Sequence, residues 1–197
     1  LNEASLKAIS AHVSYEEATA KIPATIERAT TLGIKNVVAA RIDKALTPNK
    51  DAWIKCAKAL DASGAEFRKA GIRLCYHNHA QEFQWLEGHL VLDLIFENAA
   101  PENLAAQIDV FWVQYAGANP VDIIAKYAGR CPLLHVKEML DMKSRAFAEM
   151  GEGVIKWDNI FKVAEQAGVE WYIVEQDSCA RDSLESARLS AGFMAQH

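Results

Sequence analysis

The feature that most constrains this 197-residue chain is a phrase that repeats along it. A short apolar run rich in Val, Ile, Leu and Ala is followed by an amphipathic stretch that a glycine closes. Residues 6–10 read as the first strand, ending near His12. Ser14 then caps a helix with Glu16 and Glu17 in its first turn, running to Leu32 and stopped by Gly33. Residues 34–40 read as a strand, and Thr47-Pro48 opens a helix that ends near Ala70. Residues 72–76 are a strand followed by His77-Asn78-His79, a loop, and a helix over 92–98. Residues 104–108 form a strand ending in Asp109. Asn119 caps a helix with Pro120 at its first position, and Gly129 ends it. Strands over 133–137 and 171–175 flank a helix over 158–166, and a helix over 183–195 closes the pattern.

Six such units imply parallel strands joined by helices. The eightfold closed barrel and the open doubly wound sheet both use this pattern. No Gly-x-Gly-x-x-Gly or Gly-x-x-x-x-Gly-Lys loop follows any strand, which removes the usual phosphate cradle of the open sheets. No linker or shift in composition divides the chain, so residues 1–197 read as a single domain.

The formal net charge of -5 argues against a nucleic-acid or anionic-membrane surface. No apolar run approaches the roughly 20 residues of a membrane span. The four cysteines are widely spread with no Cys-x-x-Cys pair, which reads as reduced thiols in a reducing, cytoplasmic setting. The chain opens at Leu1 rather than Met, so a targeting segment ahead of it would leave no trace.

Polar residues collect just past the strands: His12, Arg41, His77 with His79, Asp109, His135 with Lys137, and Glu175 with Asp177. The steps from His77 to Asp109, His135 and Glu175 are 32, 26 and 40 residues. A barrel of eight units averages about 31 residues per unit, so these residues share one end of their strands, the end where barrel catalysis occurs. Asp109, His135 and Glu175 together suit Mn²⁺, Mg²⁺, Co²⁺ or Zn²⁺. Such an ion polarises a carbonyl and a neighbouring hydroxyl, and a nearby carboxylate can move the acidified proton. The plainer alternatives are a turn-capping Asp109, a core His135 satisfied by backbone, and a surface Glu175.

Several segments carry a resemblance. Tyr76-His77-Asn78-His79-Ala80-Gln81-Glu82-Phe83 resembles the His-Asn-His-x-x-Glu-Phe signature of one branch of the xylose isomerase-like barrels, the sugar phosphate isomerase/epimerase superfamily. Ile108–Trp112 with Ala116–Pro120, Gly129-Arg130 with Leu134–Glu138, Gly151–Trp157 and Ile173–Asp177 resemble its later strands and loops. The resemblance covers about three quarters of the chain. It implies a (β/α)8 TIM barrel whose first two βα units are absent here, with residues 6–10 in the third.

Carried over residue by residue, the resemblance implies a divalent metal on Asp109, His135 and Glu175. The family's ketose epimerases place a glutamate as fourth ligand where this chain has His77. The fourth position is therefore open between His77 and Glu82. Glu175, His77 and Lys137 are the candidate catalytic groups, and His79, Trp112, Glu152 and Arg41 the candidate substrate contacts. The implied activity is isomerisation or epimerisation of a sugar or keto-sugar by proton abstraction next to its carbonyl. The histidine run also resembles the inosose-dehydratase and 3-keto-sugar branch, which eliminates. A non-catalytic sugar-binding barrel and an abasic-site endonuclease are the alternatives; the acidic balance and short ligand list oppose the endonuclease. The implied partner is a small carbohydrate, with no nucleic acid and no membrane, and a homo-oligomer is compatible with it.

Overall fold

The computed structural model describes residues 5–197 and divides after Ala106 into two compact units. In the first unit, β1 (Ser10–Val13) pairs in parallel with β2 (Asn36–Ala39), and β2 with β3 (Arg73–His77). The register runs Ser10 to Asn36 to Arg73. The first strand was expected over 6–10 and instead begins at Ser10. The Asn36 side chain donates to Ile9 O at 3.2 Å, just ahead of the strand.

The helix expected from Ser14 to Leu32 is two helices, α1 (Tyr15–Thr19) and α2 (Ile22–Leu32). Ser14 and Glu17 form the capping box that starts α1. Pro23, in the first turn of α2, has no N–H to continue the earlier ladder, so the chain restarts there. Thr25 Oγ1 donates to Glu17 O at 3.0 Å and ties the two helices together. Gly33 ends α2 with φ 71°, a left-handed cap.

A 3₁₀ turn at Lys44–Leu46 leads to α3 (Lys50–Lys69), capped by Asn49. Trp53, Ala57, Leu60 and Phe67 of α3 are buried, as are Val37, Val38, Leu74 and Cys75 of the strands. Gly64 lies so close to the 100–103 turn that a Cβ there would sit 1.8 Å from Asn103 O. After β3 come a 3₁₀ turn (Ala80–Phe83), the hairpin β4 (Trp85–Leu86) and β5 (His89–Leu90), and α4 (Val91–Glu97).

The second unit takes up within β6 (Ala105–Asp109). β6 pairs in parallel with β7 (Leu133–Val136), and β7 with β10 (Trp171–Val174). Between β6 and β7 lie α5 (Val110–Tyr115), which the sequence pattern did not suggest, and α6 (Pro120–Lys126) with the expected Asn119 cap. A hairpin of β8 (Glu138–Met139) and β9 (Phe147–Ala148) follows β7, then α7 (Trp157–Ala167). After β10, α8 (Ser183–Met194) closes the unit. Cys56, Cys75 and Cys131 are buried thiols, and Cys179 is a half-buried one; none is in a disulfide among the described residues. Among the described residues no helix is long and apolar enough to cross a membrane.

Candidate metal centre

Strand register builds the site in the second unit. Asp109, the last residue of β6, lies opposite His135 of β7, and His135 lies opposite Ile173 of β10. Side chains alternate along a strand, so Lys137 emerges on the side of His135, and Glu175 on the side of Ile173. One oxygen or ring nitrogen from each of Asp109, His135 and Glu175 falls within 4.8 Å of the others. His135 Nδ1 is 2.9 Å from Glu175 Oε2 and 3.9 Å from Asp109 Oδ2.

Lys137 completes the cluster. Its Nζ lies 2.9 Å from Glu175 Oε2, 2.9 Å from Asp177 Oδ1 and 3.5 Å from Asp109 Oδ2. The rings of Trp112 and Phe147 stand 5.9 and 5.8 Å from the same ammonium. Asp109 also accepts a hydrogen bond from Trp112 N at 3.0 Å, which starts α5, so it caps a helix and faces the cluster at once.

These surroundings shift the titrating groups in different directions. Burial pushes the Asp109 carboxyl up to about 6, although Lys137 and the Trp112 N–H pull the other way. The hydrogen bond from His135 is the main cause that holds Glu175 down to about 2, with burial opposing and Lys137 assisting. Burial disfavours the Lys137 ammonium, but Asp109, Glu175 and Asp177 outweigh it and raise its pKa.

The donor set fits a divalent cation. It combines one imidazole with hard carboxylate oxygens and no thiolate. The carboxylates of Asp109, Glu175 and Asp177 all face the Lys137 ammonium, so acidic oxygens predominate there.

The first unit holds the other strand-end residues. His77 is buried at the end of β3, its ring 4.8 Å from that of His12 and 4.9 Å from that of His79. Glu82 is also buried. Its Oε1 accepts from Tyr76 Oη at 2.6 Å and Gln81 Nε2 at 2.8 Å, and its Oε2 from the His79 N–H at 2.8 Å. Both oxygens are thus engaged in pinning the His79–Phe83 turn to β3. Arg41 is exposed, two residues past β2. Glu152, exposed on the loop before α7, pairs with both terminal nitrogens of Arg181.

Two further residues emerge: Asp177, which the strand-end pattern contained but left without a role, and Glu138, which it did not contain. Asp177 holds Lys137, and its signal was available: it lies two residues past Glu175, on the same side of the chain. Glu138 is buried and accepts from the N–H groups of Met139 (2.9 Å), Gly151 (3.1 Å) and Ile155 (3.2 Å) and from the Trp157 indole. It fastens the loop before α7 to the end of β7. A Cβ on Gly153 would lie 2.4 Å from Glu138 Oε1, so the loop passes that carboxylate without room for a side chain.

Parallel strands joined by helices, with polar side chains gathered at one end of the strands, are the architecture of an α/β barrel of the TIM type. The description of the xylose isomerase-like TIM barrel family matches residues 8–197, and the chain belongs to that family. An inosose dehydratase of Bacillus cereus (strain AH820) is 24% identical over 166 residues, covering 75% of this chain and 55% of its own length. The chain therefore spans about half the length of such relatives. A sugar phosphate isomerase/epimerase structure from Parabacteroides distasonis ATCC 8503 aligns with TM-score 0.81 and 25% identity, over 98% of this chain and 72% of that one. The IolI protein with a bound zinc atom aligns with TM-score 0.76 and 15% identity, over 96% of this chain and 76% of its own.

Proposed function

We propose that this chain carries the metal centre of an enzyme that abstracts a proton next to the carbonyl of a sugar or keto-sugar. The observation that carries the reading is the convergence of Asp109, His135 and Glu175 within 4.8 Å, with Lys137 between their carboxylates. The zinc reported in a protein of the same fold supports a divalent ion at such a centre. One family description running across both units supports a single working domain.

A bound divalent ion would polarise a carbonyl and its neighbouring hydroxyl. The chain's own groups do the rest. Glu175 is ionised at neutral pH and takes the proton from the carbon beside the carbonyl. Lys137 orients that carboxylate and holds ammonium protons against the oxygen that gains charge. Asp177 keeps Lys137 in place, and the half-buried Trp112 offers an apolar wall to the sugar face. We assign Glu82 to holding the β3 turn and Glu152 to anchoring its loop through Arg181. The catalytic role proposed for His77 and the substrate contacts proposed for His79 and Arg41 rest on the strand-end pattern and the family resemblance.

Returning the proton to the opposite face of the same carbon is epimerisation, and moving it to the neighbouring carbon is isomerisation. Expelling a β-hydroxyl is elimination. The elimination reading has its own support: an ammonium beside the proton-accepting carboxylate can protonate a departing hydroxyl, and the matched relatives include inosose dehydratases. Two measurements on the intact protein test the proposal. Metal analysis is expected to find a bound divalent ion, or one regained on adding Mn²⁺. A panel of ketoses and 3-keto-sugars in D₂O is expected to show deuterium incorporation or an unsaturated product. Absence of metal, or a panel with neither outcome, overturns it.

A further inference from the structure

The first unit has a cavity of its own at the ends of β1 and β2, about 780 Å³ in volume. That is within the range of small-molecule sites, about 300–1,000 Å³. His12, Val13, Ala40, Arg41, Asp43 and Leu46 are among its walls. Its floor is held by the strand ends: His12 and Val13 pair with Val38 and Ala39, and the Ala40 N–H donates to Val13 O at 3.2 Å.

The charges around it are unequally occupied. Glu16 pairs with Lys21 at 2.9 Å. Glu17 accepts from Ser14 N and Oγ at 2.9 Å and from both terminal nitrogens of Arg28 at 3.0 Å. Asp43 Oδ1 accepts from Ala45 N at 2.8 Å and caps the 3₁₀ turn. Arg41 is different: among the described residues it enters no hydrogen bond, ion pair or ring contact. A guanidinium is a fixed planar fork of donors that matches two oxygens of a carboxylate or phosphate. Leu46, 51% exposed on the rim, adds an apolar surface for the C–H face of a small molecule.

We propose that this cavity is a subsite for an oxyanion group carried by the substrate, with the Arg41 guanidinium as its recogniser. The inference rests on the carbohydrate reading above and narrows it: the substrate is a sugar acid or a sugar phosphate rather than a neutral sugar. The wall acids are held by their own partners, and they repel an anion that misses Arg41, which sharpens selection for one placement.

Binding without turnover separates this inference from the metal-centre proposal. The intact protein, stripped of divalent metal on a chelating resin, is titrated at low salt with D-gluconate, glucose 6-phosphate and D-glucose. Affinity is followed by ligand-observed NMR. At least one acid is expected to bind about tenfold or more tighter than glucose. The gluconate and 6-phosphate arms tell which oxyanion is read. Arg41→Gln is expected to abolish the preference, and Arg41→Lys to keep only part of it. Equal binding of acids and glucose, or a full preference surviving in Arg41→Gln, overturns the subsite. Should the glutamine variant fail to fold, a full preference in Arg41→Lys overturns the forked recognition, and a reduced one supports it. A negative metal assay leaves these outcomes readable, and a negative titration leaves the metal assay readable.

Discussion

Glu82 in the first unit and Asp109 in the second are both fully buried carboxylates near strand ends, yet their oxygens meet different neighbours. Around Glu82, a phenol, a carboxamide and a backbone N–H occupy both oxygens with neutral donors. Around Asp109, one oxygen takes a helix-capping N–H, and the other faces the Lys137 ammonium at 3.5 Å and the His135 ring nitrogen at 3.9 Å. Glu138 repeats the first pattern, with four N–H donors. Burial alone therefore does not mark a ligand. A carboxylate saturated by fixed neutral donors is an anchor, and one set among cations and other ligand atoms is available to a metal.

The strongest way to break this contrast is to remove each carboxylate in turn. Asp109→Asn is expected to weaken metal binding beyond the 10- to 100-fold seen for outer partners, by more than about 100-fold. Glu82→Gln should change it by less than about threefold, as even outer partners commonly cost more. Competition with a chromophoric zinc indicator measures both, and equal losses would erase the distinction. Next in size is the anchor itself. Glu138→Ala strands four buried or partly buried donors and is expected to cost about 3 kcal/mol or more of stability by urea denaturation. An unchanged midpoint would show that the loop before α7 does not depend on that carboxylate.

The smallest effect concerns pH. Burial raises the Glu82 pKa above its ordinary 4.5, although its hydrogen bonds oppose the rise. The folded state then holds the proton more tightly than the unfolded state, so stability falls as pH climbs from about 4.5 toward the raised value. Glu82→Gln is expected to flatten that fall in metal-free protein, seen as a smaller change in urea midpoint over the same window. A wild-type curve that rises through this window no more slowly than the variant's would show that Glu82 is not destabilised by burial.

Much of the second unit could be read in advance. The phase along the strands predicted that Asp109, His135 and Glu175 lie together, and their side chains do converge within 4.8 Å; Asn119-Pro120 marked its helix start correctly. The Glu138 hub gave little signal, because three of its four donors are backbone N–H groups that every residue owns. The β8–β9 hairpin was equally hidden: two-residue strands have no period to detect. The break between α1 and α2 was different. Pro23 was visible, but the apolar periodicity on either side masked the lost N–H. For Glu82, the motif spelled out the residue but not the occupants of its oxygens, which only the fold of the turn supplies.

The distribution of thiols gives each unit a separate clock. Cys56 and Cys75 are sealed in the first unit and Cys131 in the second, while Cys179 is partly reachable. Cys131 is further protected because burial pushes its thiol up to about 12 and suppresses the reactive thiolate. An alkylating reagent should therefore tag Cys179 first, and the later modification of each buried cysteine, located by peptide mass, would time the opening of its own unit. Two units that open together would label in step, and two that open independently would not.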